Sequence, residues 1–363
     1  MGEREKGVTS ITVENAKLFV FDALTALGTP DVNATLTADV LIEADRRGHF
    51  SHGMNIFHKI IMDIERGICD ATASPEILSE SLSTAWIDGK NALGPVVADF
   101  CMNLAIKKAK ECGFGVVSAK SSTNASIMGY WSEYALKHEC IGMAFTNSGP
   151  TMVPTGARDA VLGSNPLAFA APSHGSDNFS LDMATSVVSG GKIEIYRRKR
   201  EPLVKGWAFN EQGILETDSE IAVKKLLLVP LGGLEAGYKG VGLSCMVETL
   251  CGILSGSRFG PFADIWSENR TEPADVGHCF MAINIENFAP YFRDRLHDLL
   301  STHRHCEPVD FAKPVMIPGD PARLYRKKVA KQKGIRYSQQ QINTCQMIAN
   351  RLRIKPLQCK TSN

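Results

Sequence analysis

The stretch "FSHGMNIFHK", Phe50 to Lys59, sets a serine beside a histidine and follows them with a glycine. Histidine is the side chain whose ordinary pKa lies nearest neutrality. His52 is therefore suited to protonate a nascent alkoxide, provided it stands within about 3 Å of that oxygen. Ser51 could fix the tautomer of the ring. The plainer reading makes Ser51 the N-cap of a following helix and His52 a first-turn residue, and the two roles for Ser51 are compatible. A cation one helical turn further on would hold the other end of an acidic substrate. At that place stands Ile56, which in a continuous helix shares a face with His52.

Two other stretches can meet phosphate. In "LDMATSVVSGGKIEI" a strand passes through Ala184, Thr185 and Ser186, then Gly190 and Gly191, into a helix whose first N–H groups are exposed. In "GYKGVG" the glycines allow close backbone approach, and Lys239 offers a charge. The pattern GxGxxG is absent, because the glycine pairs at 113/115 and 240/242 lack the third glycine. A dinucleotide bound here needs a fold other than the Rossmann unit. "HRHC", His303 to Cys306, lacks the second ligand cluster of a zinc site, so no metal is expected. The basic run "YRRKR", Tyr196 to Arg200, reads as a solvated helix end.

Helices must position the first motif. "TVENAKLFVFDALTALG" offers Thr12 as N-cap, a stripe of Ala16, Phe19, Val20, Ala23, Leu24 and Leu27, and Gly28 as stop. A second helix runs from Asp31 as cap to Gly48, a third from Gly53 to Arg66, and a fourth from Pro95 to Gly113. Strands follow in "FGVVSA", "IGMAFT", "PLAFAAP", "FSLDMA" and "HCFMAIN", with a helix from about Ile127 to His138 between the first two. A helix near Ala289 to Thr302 and a polar helical tail close the chain. The class is α/β, or α+β with mixed strands.

The 363 residues suffice for a core of two or three layers. Lys plus Arg total 40 against 39 Asp plus Glu, so no global field draws the chain to nucleic acid or an anionic membrane. The charged start "MGEREKGVTSITV" lacks the apolar centre of a signal peptide. The longest apolar run, Gly242 to Gly256, falls short of the roughly 20 residues of a membrane span and reads as a buried core helix. The ten cysteines, with no CxxC, are expected to be reduced apolar groups in a cytosolic protein.

Taken in order, "EADRRGHFSHGM", "AVLGSNPLAFAAP", "LDMATSVVSGGKIEI", "VPLGG", "GYKGVGL" and "PGDP" resemble the malate/L-lactate dehydrogenase family, the non-Rossmann kind that includes sulfolactate and ureidoglycolate dehydrogenases. The resemblance runs from about Val8 to Leu357. It implies a cytoplasmic homodimer that binds NAD or NADP on a mixed α/β core (77–288). It also implies a helical N-terminal region (1–76) that carries Ser51 and His52 and is expected to pack with the C-terminal region (289–363). The implied reaction is hydride exchange between the cofactor and a small 2-oxo or 2-hydroxy acid. His52 matches the proton donor and Ser51 its assistant. Ser164 and Asn165 match residues near substrate and nicotinamide. Ser148, Asp182, Met183, Ala184, Thr185, Tyr238, Lys239, Gly319 and Asp320 match cofactor contacts, the last in place of a glutamate.

Two positions depart from the family pattern. Ile56 replaces an arginine that grips the substrate carboxylate, and Asn124, a candidate substrate contact, replaces a histidine. Isoleucine supplies neither charge nor donors, and asparagine exchanges no proton near pH 7. Lys120 is a candidate for the missing cation. Two expectations follow: a working oxidoreductase with altered substrate preference, or an impaired paralogue kept as a binding or regulatory scaffold.

Overall fold

The computed structural model describes residues 8–267 and 270–358; the charged start, residues 1–7, and the last five residues lie outside them. Strand β1 (Val8–Ile11) leads into α1 (Val13–Ala26), which Thr12 caps by accepting the Asn15 N–H at 3.1 Å. Ala16, Phe19, Val20, Ala23 and Leu24 are buried, and Gly28 takes φ 83° beyond the end. α2 (Asp31–Arg46) departs from expectation at its start. Pro30 holds the cap position without a side-chain bond, and Asp31 is the first helical residue, where its charge meets the positive helix end.

The third helix also starts late. Phe50–His52 form a separate 3-10 turn, and α3 (Met54–Glu65) begins only after Gly53. Ser51 therefore caps nothing. Phe57, Ile60 and Ile61 of α3 pack with Leu24, Leu41 and Ile42 and with residues from the far end of the chain, Ile335, Tyr337, Cys345 and Ile348. Those come from β11 (Ile335–Ser338) and α11 (Gln339–Leu352), and β11 pairs antiparallel with β1.

The central sheet has seven strands in the order β2 (Glu76–Glu80), β3 (Thr84–Asp88), β4 (Phe114–Ser122), β10 (Val276–Asn284), β5 (Cys140–Thr146), β6 (Leu167–Ala171) and β7 (Phe179–Met183). Only β3 and β4 run parallel, so the sheet is mixed as expected. One face is covered by α4 (Gly94–Cys112) and α5 (Met128–Tyr134), which bury Val97, Met102 and Trp131 against Val117, Ala144 and Phe280. The approach is close: a Cβ on Gly115 would lie 2.1 Å from the Ala105 carbonyl oxygen.

Beyond β7 the chain forms α6 (Gly190–Lys199), the small pair β8 (Ala208–Phe209) and β9 (Leu215–Glu216), and α7 (Ser219–Lys224). α8 (Gly233–Glu248), continued by a π-helical turn at Thr249–Ile253, covers the other sheet face. The expected core helix is thus half right. Val247 and Cys251 are buried, but Met246, Ile253 and Leu254 are exposed along one face. α9 (Phe292–Arg304) and α10 (Asp320–Lys331) complete the fold. No helix among the described residues is long and apolar enough to cross a membrane.

Candidate active site

Segments distant in sequence meet at one cleft of about 1100 Å³, lined by the turn 48–52, residues 126–128, Ser164 and Pro166, the stretch after β7 with α6, and residues of α10, β11 and the start of α11. The turn is fixed from several sides. Asp45 Oδ2 accepts the Met54 N–H at 3.0 Å and the Tyr337 hydroxyl at 2.7 Å. Ser126 Oγ donates to the His52 carbonyl at 2.7 Å, and Asn55 Nδ2 to the Phe50 carbonyl at 2.9 Å. Burial of the carboxyl, against the two hydrogen bonds, pushes the Asp45 pKa up to about 7.

His52 lines the cleft, with Nδ1 2.9 Å from Ser51 Oγ. That leaves Nε2 as the ring nitrogen without a hydrogen bond to the described residues. Burial, reinforced by neighbouring His49, lowers the imidazole pKa to about 4, while the Asp182 carboxylate pulls it upward. Asp182, at the end of β7, also lines the cleft. Its Oδ2 is buried without a partner, and burial raises its pKa although Arg47 and His52 oppose this. Arg47 is itself held in a buried network, 3.0 Å from Glu43 and 2.9 Å from Glu133.

Of the residues singled out from sequence, the structure brings Ser51, His52, Ser164, Asp182, Met183 and Ala184 to the cleft wall. Thr185 lies buried directly behind, its N–H and hydroxyl both donating to the Ser164 carbonyl. Asn165 is fully buried at φ 30°, accepting the Ser148 N–H at 3.0 Å and donating to Glu248 and Ser244. Glu248 also binds Asn147 and the Gly260 N–H, so one buried carboxylate of α8 ties three loops together. Ser148 Oγ is buried without a partner.

The remaining candidates stand elsewhere. Asn124 accepts the Ser126 N–H at 2.9 Å and supports the loop under His52. Tyr238 and Lys239 are exposed on α8, the ammonium 5.9 Å from the tyrosine ring. Gly319 and Asp320 start α10, where the Asp320 carboxylate is held by Arg304 at 2.9 Å and Arg323 at 2.7 Å.

Three expectations need correction. Ile56 shares no face with His52, because Gly53 breaks the helix between them, and it packs against the helical core instead of lining the cleft. Lys120 sits 5.1 Å over the Trp86 ring and is not among the cleft residues. The run "YRRKR" is no idle solvated end: Tyr196, Arg198 and Lys199 line the cleft. Sequence reasoning also missed His49, Tyr325 and Tyr337, of which only His49 stood inside a motif already singled out.

Residues 11–346 match the family described as malate/L-lactate dehydrogenase. The chain is 42% identical over 288 residues to the malate dehydrogenase of Pyrococcus abyssi, covering 78% of each protein. It is 35% identical over 341 residues to the L-sulfolactate dehydrogenase of Methanocaldococcus jannaschii, covering 93% of this chain and 96% of that one. The solved malate dehydrogenase of Pyrococcus horikoshii superposes with a TM-score of 0.89 at 34% identity, covering 98% of this chain and 99% of that one.

Proposed function

This chain belongs to the malate/L-lactate dehydrogenase family, and on that premise we propose that it is an NAD(P)-dependent oxidoreductase interconverting a small 2-hydroxy acid and its 2-oxo acid. One observation carries the reading: His52 stands on the wall of a cleft with Nδ1 beside Ser51 and Nε2 open. In oxidation the Nδ1–H donates to Ser51 Oγ, and Nε2 takes the substrate hydroxyl proton. In reduction the imidazolium returns it to the alkoxide. NAD or NADP, when bound, accepts or supplies the hydride.

The residues suit such a cofactor. The cleft, at about 1100 Å³, exceeds what a small acid alone requires. Two buried polar atoms, Asp182 Oδ2 and Ser148 Oγ, are without partners. Asp182, Met183 and Ala184 would hold the cofactor on the side facing His52, with Thr185 bracing the turn. Ser148, Tyr238, Lys239, Gly319 and Asp320 keep the cofactor role that the resemblance implies. Ser164 faces the substrate, with Asn165 and Asn124 supporting its surroundings. A cytoplasmic homodimer is part of the same proposal. The exposed apolar face of Met246, Ile253 and Leu254 supports the dimer. The pairing of β1 with β11 supports joining 1–76 to 289–363, apart from the 77–288 core.

The test is a spectrophotometric screen of the purified protein with NADH and NADPH against pyruvate, oxaloacetate and several neutral 2-oxo acids. Turnover that His52→Ala removes, with cofactor affinity retained, is the expected outcome. No turnover with any pair, or full turnover in His52→Ala, overturns the proposal, and the first result would leave a scaffold.

A further inference from the structure

α6 lies directly against the turn that carries His52. A Cβ on Gly191 would stand 2.7 Å from Ser51 Cβ, so the helix begins in contact with Ser51. Two turns later Arg198 reaches back to the same segment, its Nη1 donating to Asn55 Oδ1 at 3.0 Å. On its other side Nε donates to Glu194 at 2.8 Å, and the same carboxylate takes two bonds from Arg197. Two guanidinium groups on one carboxylate leave a net positive charge. Arg198 lines the cleft with His52, whereas Arg197 does not. Arg198 Nη2 has no bond to the described residues, and the Arg198 side chain is 21% exposed.

The geometry points to Arg198 as the residue that grips the substrate carboxylate, supplying from α6 the charge that Ile56 cannot. The inference rests on the dehydrogenase reading and deepens it, since it names the substrate as an acid whose carboxylate lies toward α6. Four other cations line the cleft: Lys192, Lys199, Lys328 and Arg336. Lys192 stands 5.7 Å from the Tyr196 ring and Lys328 5.3 Å from the Tyr325 ring. Of these five cations only Arg198 hydrogen-bonds to the segment carrying His52, whereas Lys192 acts on His49 there by charge alone. A guanidinium held at Nε and one Nη is also pre-oriented, which a flexible ammonium is not. Glu201 and Asp182 are the acidic groups on the cleft wall, and Arg198 bonds to neither.

The experiment compares wild type, Arg198→Met, Arg198→Lys and Asn55→Ala. It follows turnover of oxaloacetate with NADH and NADPH in parallel, binding of oxalate, and titration of both cofactors. Loss of a charge-assisted pair predicts a ~10- to 100-fold rise in KM for oxaloacetate and in the oxalate Kd for Arg198→Met. Cofactor affinity should stay within about twofold, since no cofactor bond is removed. Arg198→Lys recovers part of the loss, and Asn55→Ala moves both constants in the same direction by less. Unchanged KM and oxalate Kd in Arg198→Met, or a loss confined to cofactor binding, overturns the assignment while wild-type turnover keeps the dehydrogenase reading. If wild type binds oxalate through Arg198 but reduces nothing, that reading falls and the grip stands. If it neither turns over nor binds oxalate, both fall.

Discussion

His52 is held neutral at physiological pH, with a pKa of about 4 set first by burial and then by His49. In the proposed reaction a neutral imidazole is ready to accept a proton from a hydroxy acid but must first collect one to serve reduction. The value of kcat/KM reports the free enzyme, so the two directions differ in pH dependence. For reduction, kcat/KM falls about tenfold per pH unit above the His52 pKa, because the protonated fraction falls by that factor. For oxidation it stays level from pH 5 upward and drops only in acid. Profiles from pH 5 to 9 measure this directly. A reduction profile that is level to pH 6 and breaks near the ordinary histidine value would show that the burial seen here is relieved in the working enzyme.

The element that aims His52 is a turn between two helices, and one glycine makes it possible. A Cβ on Gly53 would lie 2.0 Å from Asp45 Oδ1, the carboxylate whose other oxygen binds Met54 N–H and Tyr337. Gly53→Ala therefore pushes the turn off its anchor. Overpacking of this kind costs about 1–3 kcal/mol, seen as a lower urea midpoint with unchanged slope, and turnover should fall at least about tenfold as His52 moves. A variant with wild-type midpoint and activity would show that the turn is not braced by Asp45. The same glycine explains what could and could not be read from sequence. Thr12, Gly28 and the stripe Ala16–Leu24 are local signals of an uninterrupted helix, and they were legible. The Ser51–His52 pair stood out by residue type, but its assignment as proton donor and assistant came only with the resemblance to the family. The face shared by His52 and Ile56 was not, because spacing implies a face only while the helix continues, and Gly53 interrupts it. Arg198 was out of reach for another reason: it stands 143 residues from Asn55 in sequence, and only the return of α6 to the N-terminal segment joins them.

Over the whole molecule, several titratable groups are buried in the form that carries no charge, and this ties stability to pH. His49, His52 and His278 are each lowered to about 4, burial being the largest cause in every case. Between pH 6.5 and 4 the unfolded chain binds protons at these sites that the folded chain refuses, so each withdraws stability as pH falls through that window. Asp45, raised to about 7, acts in the opposite sense: the folded chain keeps its proton from pH 7 down to the ordinary carboxylate range, which favours folding on acidification. Among these four groups the three histidines outweigh Asp45 and leave a net loss on acidification, at roughly 1.4 kcal/mol per proton per pH unit. His278 isolates one contribution away from the cleft. It sits fully buried in β10, with Nε2 2.8 Å from Ser122 Oγ and Nδ1 without a partner. Glutamine there cannot titrate, so His278→Gln, although less stable at pH 7, should lose less on acidification than wild type. The gap in Tm between the two proteins is expected to narrow from pH 7 to pH 5. Parallel Tm curves across that range would mean that His278 is protonated equally in the folded and unfolded chains, and that its burial does not contribute to acid sensitivity.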